Sequence, residues 1–154
     1  MSTTIAVFPG SFDPLTIGHV SIVQRALPLF NKVVVGMGVN ATKKSMFTPE
    51  QRLAWIKGAF ANDARIEVVS FEGLTVDLCK RVGARFILRG LRNGTDHDYE
   101  RTIALMNHQL AGIETVFLPA EAGHAHISST IVRELIANKA DVTALVPMDI
   151  SRIP

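Results

Sequence analysis

Twelve residues near the start of the chain, Phe8 to His19 (FPGSFDPLTIGH), bring together a tight glycine turn, a hydroxyl and an imidazole. Gly10 has no side chain, so a ligand can approach its backbone and the amide can donate to an anion, while Ser11 adds a hydroxyl. Gly18 and His19 stand where an amphipathic helix begins, since Val20, Val23, Leu27 and Phe30 recur at helical spacing. His19 therefore falls in a first turn, beside unpaired amides where anions collect. This is the build of a triphosphate site. Taken alone, Gly10, Asp13 and Pro14 read as turn chemistry; it is the tetrad TIGH at a strand-to-helix junction that points to function.

A second constellation, Leu88 to Glu100 (LRGLRNGTDHDYE), sets Arg89 and Arg92 around a glycine just past an apolar run. Guanidinium groups grip phosphate oxygens through paired bonds, so two of them at a sheet's carboxyl edge form an anion clamp. A third, Lys43 and Lys44 followed by MFTPEQR, is open on the residues alone: a lysine there can hold a phosphate, and paired loop lysines also simply solubilise. A fourth, Ile127 to Thr130, opens the last long helix. One of its hydroxyls reads as a cap, and three in a row suggest donors aimed at polyphosphate.

Two other patterns carry less. Gly36 to Ala41 (GMGVNA) fits the dinucleotide fingerprint of an NAD-dependent oxidoreductase, but no helix pattern opens there. His124 and His126 invite a metal, yet zinc needs further ligands and the chain has one cysteine, so they are expected to line a nucleotide or face solvent. The sequence offers no convincing nucleophile and base pair, which suits direct group transfer.

These groups need a scaffold. With 154 residues, 47% of them hydrophobic, the chain is expected to form one domain over 1–154 with a real core. The formal charge of +2 is too small to make nucleic acid the main partner. A lone Cys79 in a helical pattern is expected to be a buried thiol, and with no leader pattern and no membrane-length apolar run, a cytoplasmic location without a membrane partner is expected. Strand and helix patterns alternate, predicting an α/β fold with a parallel sheet covered on both faces. The predicted strands are Thr3 to Val7, ended by Pro9 and Gly10, then Lys32 to Val39, Ile66 to Ser70, Phe86 to Leu88 and Thr115 to Leu118. Thr48, Pro49 and Gln51 mark a helix start with a cap, a first-turn proline and a capping-box partner, and that helix runs to about Phe60. Other helices are predicted over Leu74 to Val82, around Ile103, Leu105, Met106 and Leu110, and over Ser128 to Asn138, with a short turn at Val142 to Leu145.

GSFDPLTIGH resembles the signature of the HxGH nucleotidyltransferase superfamily. With KKxMFTxExR and RGLRxxxDxxYE, the chain from Ile5 to Pro147 resembles that superfamily's phosphopantetheine adenylyltransferase family. The resemblance implies a Rossmann-like doubly wound sheet of five parallel strands in the order 3-2-1-4-5, with ligands at the switch point. It implies transfer of AMP from ATP to 4'-phosphopantetheine by direct in-line attack, magnesium as cofactor, a homohexamer, and coenzyme A as a feedback ligand. By resemblance the catalytic residues are His19, Lys43 and Arg92. ATP is met by Gly10, Ser11, Phe12, His19, Gly90, Leu91, Arg92, Glu100, His124, Ala125, His126, Ile127, Ser128, Ser129 and Thr130. The second substrate is met by Ser11, Lys43, Thr75 and Arg89; no metal ligand is implied. Ser11 replaces the usual threonine, His124 a common aromatic, and the end at Pro154 leaves the last helix short. A nicotinate mononucleotide adenylyltransferase shares GSFDP, TxGH and ISST but lacks the RGLR block. A non-catalytic nucleotide sensor on the same scaffold is the reading from another class.

Overall fold

The computed structural model describes residues 2–152. Met1, Ile153 and Pro154 lie outside the described residues, and with them both ends of the expected 1–154 domain and the tail at Pro154. Five strands, β1 (Ile5–Gly10), β2 (Lys32–Gly38), β3 (Ile66–Phe71), β4 (Phe86–Leu91) and β5 (Glu114–Pro119), form one parallel sheet in the order β3-β2-β1-β4-β5. The expected topology is therefore observed.

Side chains alternate across this sheet with period two. Ala6, Phe8, Val33 and Val35 join Ile22, Val23, Ala26 and Ile56 of helices α1 (Ile17–Ala26) and α2 (Pro49–Ala59). Val7, Val34 and Ile87 face the other way, onto Val76, Leu78 and Cys79 of α3 (Thr75–Val82). Each fully buried Val, Leu or Ile contributes about 1.5–3 kcal/mol. A third cluster joins Val132 of α5 (Ser129–Ala137) to Val142 and Val146. It is tied to the start of α1 by the Ile17 N–H donating to Leu145 O at 3.0 Å. The expected thiol is buried, which pushes Cys79 up to about 11. No helix among the described residues is long and apolar enough to cross a membrane.

Thr48 caps α2 and exchanges side-chain and backbone bonds with Gln51, as the sequence predicts. Strand ends differ from expectation by one or two residues, except that β1 and β4 run on further. β1 runs on through Pro9 and Gly10 in register with Gly36 and Met37 of β2. It pairs with β4 only at Ala6 and Val7, so the proline lies where that ladder has already ended. β4 continues through Arg89 and Gly90 to Leu91, in register with β5 up to Pro119. Helix α4 (Gly94–Ala111) forms where the sequence predicts one, yet none of its residues is buried, and Leu105, Met106 and Leu110 are more than half exposed.

Candidate active site

β1 and β4 part after Val7, at the centre of the sheet where the strand order reverses, and a cleft of about 570 Å³ opens beyond their carboxyl ends. His19 sits in it as the third residue of α1. Thr16 caps the helix: its hydroxyl accepts the His19 N–H at 3.4 Å, and its own N–H donates to His19 Nδ1 at 3.0 Å. An Nδ1 that accepts carries no proton, so the proton of the neutral ring is on Nε2. The ring is half-buried, with Phe12 edge-on at 5.1 Å between centroids and Phe8 at 6.2 Å. Desolvation first, then the charges of Arg89 and Arg92, lowers its pKa to about 4. An imidazole shifted this far is neutral at pH 7, with its one N–H on Nε2.

The glycines near it serve packing. A Cβ on Gly10 would stand 3.0 Å from the buried Phe12 ring, and one on Gly90 the same distance from Ile22. Phe12 itself takes a positive φ of 47° to turn its ring under the loop. Gly36 is explained likewise: a Cβ there would fall 2.6 Å from Leu78. An exposed connection follows β2 before α2 instead of a helix, so the fingerprint match describes contact between β2 and α3.

The two arginines stand apart in role. Arg89 lies in β4, where its Nε and Nη2 donate to the Glu100 carboxylate at 2.9 and 2.6 Å and its Nη1 donates to Pro9 O at 2.7 Å. Glu100 is only 11% exposed at its side chain. Arg92, just past β4, donates to Asp96 in the first turn of α4. Burial would raise the Asp96 carboxyl, but hydrogen bonds and charge from Arg92, with the charge of Arg89, more than offset it and hold it below the usual range.

The three hydroxyls of the last long helix divide. Ser128 is the cap and accepts the Ile131 N–H, Ser129 donates to Pro14 O at 2.8 Å, and Thr130 accepts from Arg133. Ser128, Ser129 and Thr130 line the cleft, as do Gly10, Ser11, Phe12, His19 and Lys43. Arg89, Gly90, Arg92, Glu100, His124 and Ile127 of the expected set line it too. Leu91, Ala125 and His126 do not line it. Thr75 lines an adjoining cavity of about 290 Å³ that shares Arg89, Glu100 and Gly10 with the cleft. Four cations, Lys43, Arg89, Arg92 and Arg133, face two carboxylates, Asp96 and Glu100, so the space is electropositive.

Sequence reasoning passes over two supporting residues. Arg52 of α2 is 3% exposed and donates to the carbonyls of Ser11 at 2.6 Å, Phe47 at 3.3 Å and Gly38 at 3.4 Å. It ties the first two strand exits together. Its only signal in sequence is the arginine closing KKxMFTxExR. Arg133 bridges α5 to the first loop through Asp13 O at 2.8 Å.

Comparisons with known proteins identify the family. A family model described as Cytidylyltransferase-like matches residues 7–135. A curated relative named phosphopantetheine adenylyltransferase, from Flavobacterium psychrophilum, is 52% identical over 142 residues, covering 92% of this chain and 94% of that one. Relatives of the same name from Christiangramia forsetii and Leuconostoc citreum are 48% and 50% identical, covering 92% and 90% of this chain and 94% and 87% of theirs.

Proposed function

The chain belongs to the cytidylyltransferase-like family and, within it, to the phosphopantetheine adenylyltransferases, and on that premise we propose how its residues carry out the reaction. The enzyme transfers the adenylyl group of ATP to 4'-phosphopantetheine, releasing pyrophosphate and giving dephospho-coenzyme A, a step of coenzyme A biosynthesis.

The nucleophile is a phosphate oxygen of phosphopantetheine, already an anion, so no side chain need abstract a proton or form a covalent intermediate. It attacks the α-phosphorus in line, the bond to the β-phosphate oxygen breaks, and pyrophosphate leaves with the electron pair. Catalysis is then positioning plus stabilisation of charge on the α-phosphate. His19 Nε2–H donates to that phosphate, and the observation carrying the reading is the 3.0 Å bond that leaves this N–H as the ring's one donor. Lys43 and Ser11 hold the phosphate of the second substrate, whose pantetheine arm runs into the adjoining cavity past Thr75. Arg89 keeps two N–H groups for a phosphate besides those given to Glu100 and Pro9. Arg92, with the amides opening α5 at Ser129 and Thr130, holds the triphosphate. Among the described residues no group of three His, Cys, Asp or Glu is placed to hold a metal. Magnesium would come bound to the ATP phosphates and would supply neutralisation of their charge there.

The apolar stripe Tyr99, Ile103, Met106 and Leu110 on α4 supports self-association as a homohexamer, with a second copy covering the stripe. Met106→Glu with Leu110→Glu tests this by a fall in sedimentation coefficient. The cytoplasm suits a chain with one buried thiol, and coenzyme A, which carries the same phosphorylated arm, is a feedback ligand for both cavities. Nicotinate mononucleotide serves as the contrast substrate. Incubation with ATP and either acceptor in separate tubes is expected to release pyrophosphate with phosphopantetheine alone; release with the mononucleotide, or none with either, rejects this reading.

A further inference from the structure

Turn chemistry accounts for Asp13 in the sequence; in the fold its carboxylate reaches much further along the chain. The residue is 6% exposed, and its Oδ2 accepts the Met46 N–H at 2.8 Å while Oδ1 accepts the Phe47 N–H at 2.9 Å. Those amides belong to the connection between β2 and α2 that carries Lys43. The connection leaves the sheet at Val39, whose N–H donates to Phe71 O at 2.8 Å. It is exposed from residue 40 to 44, where Asn40 accepts from Thr42 and Lys43 and so shapes a local turn. Arg52 holds Phe47 O from beneath and Ser11 O beside it. Asp13, Ser11, Lys43 and Arg133 line one cavity of about 300 Å³ next to the cleft.

We propose that Asp13 is a positioning residue for Lys43: by taking the Met46 and Phe47 amides, its carboxylate holds the lysine-bearing connection against the Ser11 turn and keeps the ammonium at the phosphate subsite. The proposal rests on the phosphate role given to Lys43 above. A lysine stem is long and loses much rotamer freedom when its head is placed, so a backbone already held in place lowers the cost of binding. A carboxylate suits the task because it only accepts, and with two oxygens can receive two successive amides. Asparagine has one such oxygen and would turn an NH2 group towards the second amide.

The test is a double-mutant cycle in kcat/KM for phosphopantetheine with wild type, Asp13→Asn, Lys43→Ala and the double variant. Asp13→Asn alone is expected to lower kcat/KM about tenfold or more, chiefly through KM for phosphopantetheine, with ATP affinity within about twofold of wild type. In the Lys43→Ala background the same change is expected to cost less than about threefold. An equal loss in both backgrounds overturns the proposal, because the carboxylate would then act without the lysine. An unchanged Lys43→Ala enzyme overturns it on separate ground, since that single variant removes the phosphate role of Lys43 itself. Amide exchange on the wild-type protein covers the case in which Asp13→Asn does not fold. Protection at Met46 and Phe47 well above that at the exposed Ala41 and Lys44 is expected, and equal exchange overturns the anchoring.

Discussion

The Thr16 backbone N–H donates to His19 Nδ1 over 3.0 Å, so a helix cap also sets which ring nitrogen carries the proton. The capping box usually employs a glutamate or glutamine at this position. Here an imidazole takes the place, on a residue that lines the cleft.

His19→Ala is expected to remove about 2.7–4 kcal/mol of barrier stabilisation, roughly a hundredfold to a thousandfold in kcat, since the donor acts where charge develops. ATP affinity should change much less. Steady-state turnover beside a direct ATP binding measurement checks this, and an unchanged kcat removes His19 from the mechanism.

Protonation of His19 should appear in stability. The folded pKa is about 4 against an unfolded value of 6.5, so between those limits the unfolded chain binds a proton that the folded protein does not. Stability from this group is therefore full above about pH 6.5 and falls on acidification to about pH 4, by at most about 1.4 kcal/mol per pH unit. Urea unfolding at pH 7 and 5 should show a loss that His19→Gln reduces, and nitrogen chemical shifts should show an Nε2-protonated neutral ring at pH 6.

Glu100→Gln breaks a bidentate ion pair at a side chain largely withdrawn from water and leaves the Arg89 charge uncompensated. A loss of about 1–3 kcal/mol is expected, between the values for exposed and buried pairs. Thermal unfolding measures it, and a midpoint unchanged from wild type would mean the pair contributes little.

Gly36→Ala places a methyl group against Leu78 in a tightly filled core and is expected to destabilise by about 1–3 kcal/mol. NAD binding, measured directly, should be absent in both the variant and the wild type, because this glycine serves packing and no helix follows it.

What could be read from the sequence was local. His19 in a first turn, the Thr48 cap and the strand order follow from short motifs, spacing and the family resemblance. What escaped depended on partners distant in the chain. The predicted strand stops at Leu88 with Arg89 just past it; Glu100, on the following helix, and the carbonyl of Pro9 are the partners that accompany Arg89 within β4. Arg52 stands in the sequence only as the last residue of KKxMFTxExR, and only the convergence of three strand and loop carbonyls shows why it is buried. The apolar residues of α4 have helical spacing whether they meet a core or another molecule, so periodicity could not separate the two.

Where the backbone ladder between β1 and β4 stops at Val7, the guanidinium of Arg89 takes the Pro9 carbonyl and becomes a side-chain stitch across the notch. One group thus bears on both the width of the opening and the charge on its wall. An anion drawing Arg89 towards itself competes with a fastening of the sheet, and no replacement at this position could alter grip without altering aperture.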